Sequence, residues 1–314
     1  MNLIITICLI AVVVVFLLIN RTPNVVEDPI LDEVSPRLMQ RLTNGKTNVF
    51  TYCNHRDFDF KMSWRYPQLK LTYSRPFEYL CIQSLIRNMG RYDVNIIVLN
   101  SRNVHSYLPD FPVTFSNDVS TKKTMDLLGA YILERYGGIW ISPFTVVMNK
   151  DLSDIFRSLQ LESIVTFGTS INVDSTTGPV NNLVVGARRR SPVIVKYKRL
   201  MESYVSSNRY KYLYNHVNNS PEPLQEAITQ TNPSRKHYGV KTDGSYNSNR
   251  RKIHMNEYFG KMPLQFMNPT SVQFISVPYN ELETDTTYMW IHSTPVKEMI
   301  HNNIAIVEIL KRQL

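Results

Sequence analysis

The chain has only 11 glycines in 314 residues, and none fall in a Gly-x-Gly-x-x-Gly or Gly-x-x-x-x-Gly-Lys pattern. That argues against the glycine-rich phosphate cradles of dinucleotide folds and P-loop enzymes. Cysteine is equally scarce, with Cys8, Cys53 and Cys81 alone, and no Cys/His group has the spacing of a zinc site. Only Cys53 and Cys81 offer a pair for an oxidising lumen, and two separate buried thiols is the reading favoured here. Acidic residues are missing altogether between Glu134 and Asp151. What the chain does have is packing material: 43% hydrophobic residues, 18 Tyr and 13 Phe, against 19% charged residues, which predicts a folded body with a core and not a disordered chain.

Leu3 to Ile19 is an apolar run interrupted only by Thr6. At 1.5 Å per residue it reaches across about 26 Å of hydrocarbon, enough for one membrane-spanning helix. The competing reading is a cleaved signal peptide, but Asn20-Arg21-Thr22-Pro23 offers no small-residue cleavage site. The expectation is a single-pass anchor over residues 1–20, with its orientation open because few charges flank it. Residues 21–46, with Pro23, Pro29 and Pro36, read as a stalk, and residues 47–314 as the globular domain. Net charge is +9, concentrated between Gly186 and Lys261, where 15 Lys and Arg face 5 Asp and Glu. Such a surface suits a nucleotide diphosphate, an acidic glycan or lipid headgroups, or is simply solvated. Nucleic acid is disfavoured, since no nucleic-acid-binding fold is recognisable.

Along the domain, Asn48–Cys53 reads as a strand, Phe77–Met89 as a helix ended by Gly90, and Asp93–Leu99 as a buried strand. That order predicts an α/β protein with a mostly parallel sheet. A second helix over Ser120–Tyr136 is stopped by Gly137-Gly138, and a strand over Ile139–Met148 holds Pro143, which implies a bulge, an edge or a strand end. Further strands are expected at Ser163–Phe167, Asn182–Ala187, Val272–Ser276 and Tyr288–Ile291. Helices are expected at Ser191–Ser206, Ser220–Thr231 and Thr294–Arg312, and Asn232–Arg251 reads as a long mobile loop.

The stretch Asp126-Leu-Leu-Gly-Ala-Tyr-Ile-Leu-Glu-Arg-Tyr-Gly-Gly-Ile-Trp-Ile-Ser-Pro-Phe-Thr-Val-Val, followed by Lys150-Asp-Leu152, resembles the core of the capsular-polysaccharide-synthesis and Asp-x-Asp sugar-transferase families. The resemblance implies a GT-A glycosyltransferase fold, Rossmann-like and flanked by helices. A UDP- or GDP-sugar donor would sit at the carboxyl ends of the parallel strands, as ligands do in open α/β sheets. It also implies a glycan or glycoprotein acceptor and a lumenal Golgi/ER or cell-envelope placement. By that likeness Asp126 lies near the nucleotide base or ribose, Asn181 and Asn182 near the sugar, and His292 near the diphosphate. The alternatives are a helix-surface carboxylate, an ordinary turn and a packed histidine.

The departures from the pattern are as informative. Ser142-Pro143-Phe144-Thr145 stands where those families carry metal-binding carboxylates, and Gly129 where they carry an arginine. A leaving nucleoside diphosphate is normally neutralised by Mg²⁺ or Mn²⁺ on hard oxygen ligands, and Ser142 and Thr145 hydroxyls replace a carboxylate poorly. A metal-independent site that uses Arg188, Arg189 and Arg190 is the expected substitute if the protein is an enzyme. Two functions follow: a membrane-anchored glycosyltransferase, or a catalytically silent relative that binds a glycan, lipid or protein.

Overall fold

The computed structural model describes residues 25–26, 42, 44–53, 76–100, 103–112, 122–168, 180–206, 223–238, 244–277, 282, 286–292 and 294–314. The expected anchor over residues 1–20 lies outside them. Among the described residues no helix is long and apolar enough to cross a membrane.

Among the described residues nine strands form two sheets: β1 Val25–Val26, β2 Thr47–Tyr52, β3 Val94–Leu99, β4 Gly138–Ile141, β5 Thr145–Val147, β6 Ile164–Gly168, β7 Val180–Ala187, β8 Arg235–Tyr238 and β9 Phe274–Ser276. The main sheet runs β1-β3-β2-β4-β7-β6-β8. Its pairings are parallel except where β7 lies antiparallel to both β4 and β6. The expected α/β class and mostly parallel sheet are therefore present. β1 falls within the stretch read as a stalk and pairs with β3 at Val25↔Ile96.

The strands are apolar on both sides because both faces are covered. Phe50, Ile97, Trp140 and Val185 join one cluster with Leu128 and Ile132 from the helix Lys122–Tyr136 and Ile194 and Tyr197 from the helix Pro192–Ser206. Their neighbours Val49, Ile96, Ile139 and Val184 face the other way, onto Leu85 and Met89 of the helix Pro76–Met89 and Ile155 and Leu159 of the helix Ser153–Leu161. Successive residues of one strand point to opposite faces, so a sheet buried twice reads as a continuous hydrophobic run. A third cluster, built around Phe77, Phe144, Tyr258, Ile275 and Ile306, packs the C-terminal helices Val296–His301 and Ala305–Gln313 beside the sheet.

Several expectations need correction. The run Ile139–Met148 is two strands in two sheets. β4 ends at Ile141, a turn closes from the Thr145 amide to the Ser142 carbonyl at 3.1 Å, and β5 pairs with β9 at Thr145↔Ser276. Pro143 has no N–H to give a ladder, so the break falls there. The helix Pro76–Met89 then takes over: Ser84 Oγ accepts the Val147 amide at 3.0 Å, and Asn88 Nδ2 donates to the Val147 carbonyl at 2.8 Å. Tyr288–Ile291 belongs to a 3₁₀ helix, Thr286–His292, not to a strand. The C-terminal helix is split at Asn302. The segment read as a loop from Asn232 contains β8, a polar edge strand held by backbone pairing to β6 at Val165↔Lys236 and Thr166↔His237. Cys53 and Cys81 form no disulfide, in line with the reading of two separate thiols, though Cys53 is only partly buried; burial, with Glu78 beside it, raises the Cys81 pKa.

On β8, His237 Nδ1 lies 3.0 Å from Thr166 Oγ1, and burial, with Arg235 adding, lowers its pKa to about 4. The unfolded chain, with an ordinary histidine near 6.5, then binds more protons between those two values. Stability is therefore complete above pH about 6.5 and falls as the pH drops towards 4. His237→Gln is expected to flatten that slope in unfolding midpoints measured against pH.

Candidate functional site

The carboxyl ends of β2, β3 and β4 share one edge of the sheet, and the antiparallel β7 begins at that same edge. There the Ser142 amide donates to the Leu183 carbonyl at 2.7 Å, the last rung joining β4 to β7. The helix Lys122–Tyr136 begins near this edge and ends at the opposite one. Its early residue Asp126 accepts a hydrogen bond from Asn182 Nδ2 at 2.8 Å. Both are almost wholly buried, at 4% and 5% exposure. A hydrogen bond in so dry a place is costly to break, because the partner left behind has no water. The structure thus joins two residues that the sequence marks separately, 56 positions apart.

Ser142 sits at the same strand end and is 7% exposed. Thr145 is buried one turn further on, its Oγ1 3.4 Å from Ser276 Oγ. Asn181 lies on β7 opposite Phe167, and His292 closes the 3₁₀ helix; the side chains of both fall outside the described residues. After β3, Asn100 and Asn103 brace this edge reciprocally, each side-chain oxygen accepting the other's amide at 2.9 and 2.8 Å.

Arg188, Arg189 and Arg190 are not at this edge. β7 runs antiparallel to β4, with Gly138↔Ala187 at one end and Ile141↔Val184 at the other. The triplet therefore emerges beside the amino end of β4, about 20 Å from Asn182 at ~3.3 Å per residue. The expectation that these arginines neutralise a diphosphate at the carboxyl edge is corrected: the strand's direction carries them to the other side of the sheet.

The described residues at this edge are a poor ligand set for a hard divalent cation. Such an ion asks for several oxygen ligands, carboxylates foremost. Ser142 and Thr145 offer hydroxyls, Pro143 offers no side-chain donor, and Phe144 is 1% exposed, stacked on Phe77 at a centroid distance of 6.3 Å. A carboxylate in the place of Phe144 would be buried in an apolar cluster. Among the described residues no group of three or more His, Cys, Asp or Glu could hold a metal.

Gly129 has a structural reason for its lack of a side chain. A Cβ there would lie 2.9 Å from Trp140 Cδ1 and Nε1, so the indole fills the space that an arginine would need. Gly129→Ala is expected to destabilise the domain by about 1–3 kcal/mol through overpacking. The double change Gly129→Ala with Trp140→Leu should recover part of that loss in denaturant unfolding, and simple additivity of the two single costs would contradict the packing argument.

A cleft lies at the opposite edge, beside Tyr136 and Arg189. Of its lining the sequence marked only Arg189 and Arg190; the other walls come from three further segments, which only the fold brings together.

Residues 79–230, just under half of the chain, match the family model described as capsular polysaccharide synthesis protein. The likeness read around Asp126–Leu152 is therefore shown. Solved structures similar to this chain include the glycosyltransferase GlyE of Streptococcus pneumoniae TIGR4, 10% identical, covering 85% of this chain and 63% of that one at a TM-score of 0.41. The galactosyltransferase LgtC in complex with donor and acceptor sugar analogues is 10% identical over 82% of this chain and 100% of that one, at a TM-score of 0.35. The PaToxG glycosyltransferase is 13% identical over 59% and 69%, at a TM-score of 0.33. The chain thus spans less than two thirds of GlyE, and at such low TM-scores none of the three bears on the site. No curated protein matches the chain.

Proposed function

We propose that the protein is a glycosyltransferase-like enzyme that holds a UDP- or GDP-sugar at the carboxyl edge of its sheet without a divalent metal. One observation carries the reading: the buried Asp126–Asn182 hydrogen bond, 2.8 Å long, at the edge where β4 ends and β7 begins. Open α/β sheets take ligands at that edge, and the family match to residues 79–230 spans both residues. In this reading Asp126 and Asn182 fix the rim against which the nucleoside and sugar hydroxyls dock, with the Ser142 hydroxyl beside them. Transfer breaks the bond between the anomeric carbon and the β-phosphate oxygen, which keeps the electron pair. An acceptor hydroxyl, on a glycan or glycoprotein, forms the new bond and gives up its proton. The N-terminal apolar run would tether the enzyme to a membrane.

The second reading, a nucleotide-sugar or glycan binder without transfer, is favoured by Phe144 in the core and by Trp140 over Gly129, where the related families keep charge. Release of UDP or GDP separates the two. The protein is incubated with UDP- and GDP-sugars and candidate glycan acceptors in EDTA, and nucleoside diphosphate is measured. Release that persists in EDTA supports the enzyme, whereas donor binding with no release under any condition supports the binder.

A further inference from the structure

A cleft of about 430 Å³ opens at the amino edge of the sheet, lined by Leu108, Asp110, Tyr131, Glu134, Arg135, Tyr136, Arg189, Arg190 and Lys198. Its four cationic side chains outnumber the two carboxylates, and both carboxylates are already engaged. Arg135 pairs with Asp110 at 2.8 Å and Lys198 with Glu134 at 2.9 Å. Arg189 and Arg190 take part in no ion pair among the described residues. They are exposed, yet the turn that carries them is fixed. The Arg190 amide donates to the Glu134 carbonyl at 3.0 Å with Arg190 at φ 55, and a Cβ on Gly137 would come within 2.5 Å of the Arg189 amide nitrogen. A non-glycine residue held at positive φ marks a backbone over-determined by its surroundings.

The tyrosines are walls and not hydrogen-bonding groups for a ligand. Tyr131 gives its hydroxyl to Glu202 at 2.5 Å, and Tyr136 gives its hydroxyl to the Tyr107 carbonyl at 2.6 Å. Burial and the Glu202 partner hold the Tyr131 pKa above its ordinary value, so it stays a neutral ring. What remains for a ligand is two unpaired guanidinium forks over an aromatic wall, in a volume suited to a small molecule.

We propose that this cleft is a second ligand site, which takes the oxyanion, phosphate or carboxylate, of a sugar-sized molecule. The Arg189 and Arg190 side chains bind the anion, and the ring lies beside the partly exposed Tyr136, since Lys198 already covers the Tyr131 ring at 4.5 Å. Along the helix that joins the two edges, Asp126 and Tyr136 are about 15 Å apart at 1.5 Å per residue. The cleft is therefore separate from the donor edge and stands whether or not that edge binds a nucleotide.

The full chain is titrated calorimetrically with inorganic phosphate, glucose 1-phosphate and glucuronate, with glucose as the neutral control. Glucose 1-phosphate or glucuronate is expected to bind at least about tenfold tighter than glucose, less so in high salt; whichever is tighter identifies the anion. Arg189→Ala with Arg190→Ala, both at exposed positions, should lose that preference. Asp110→Asn, which frees Arg135, should strengthen binding several-fold. Asp126→Ala should leave these titrations unchanged, which keeps failure here distinct from failure at the donor edge. Anionic sugars that bind no better than glucose, or a double arginine variant with unchanged affinity, would overturn the assignment.

Discussion

Asp126→Ala is expected to lower affinity for the nucleotide sugar by tenfold or more and to destabilise the domain by about 1–3 kcal/mol, the range for a buried polar group left unsatisfied. The stability effect includes the loss of one bond: without the carboxyl group, the Asn182 amide loses its 2.8 Å acceptor in a place 5% exposed to water. Asp126→Asn separates the two effects. It keeps the shape and an acceptor oxygen, so stability should fall less than in the alanine variant, while the exchange of a carboxyl oxygen for an amide NH2 should still weaken nucleotide binding. Titration with the donor and denaturant unfolding read the two quantities independently. Undiminished affinity in Asp126→Ala would remove the residue from the site, however large its effect on stability.

Gly138→Ala should produce the largest loss of stability of any single change considered. Gly138 sits at φ 102, and a Cβ there would run into the backbone carbonyl of Asn48 on the neighbouring strand. Backbone cannot swing aside as a side-chain tip can, and alanine is disfavoured at that φ. A cost above about 3 kcal/mol is expected, which for a domain of this size lowers the unfolding midpoint by roughly 6–12 °C. Gly137, at φ 66 and pressed against the Arg189 amide, should behave similarly. A Gly138→Ala protein with an unchanged midpoint would mean that β4 does not leave its helix through this turn.

Much of the fold was legible because it rests on local rules. The apolar run Val94–Leu99 could only be a strand covered on both faces, and Gly137-Gly138 could only be a tight exit from a helix. The failures share one cause, the dependence of an element on a partner far along the chain. Pro143 announced a break, but that β5 changes sheets is decided by Ser276, 131 residues away. β8, Arg-Lys-His-Tyr, shows no apolar periodicity because it is held by backbone pairing to β6 and by the stacking of Tyr238 on Phe167 at 5.2 Å. Met289-Trp-Ile is as apolar as a strand, but as a 3₁₀ helix it buries Ile291 while leaving Trp290 at the surface.

The site was legible in part for the same reason. Asp126 and Asn182 could each be marked by resemblance, but their contact follows from where β7 starts. Arg188–Arg190 were misplaced because an apolar run such as Leu183–Ala187 reads the same in either direction. A parallel β7 would have delivered the triplet to the donor edge, and the antiparallel strand carries it to the opposite cleft.

Calorimetric titration of the protein with UDP- and GDP-sugars, first in EDTA and then in excess Mn²⁺, tests the central claim most directly. One donor is expected to bind with the same affinity in both solutions, because Ser142 and Thr145 offer a cation hydroxyls without a carboxylate and Phe144 is buried. Binding that appears only when Mn²⁺ is present, or no binding of any donor in either solution, would contradict it.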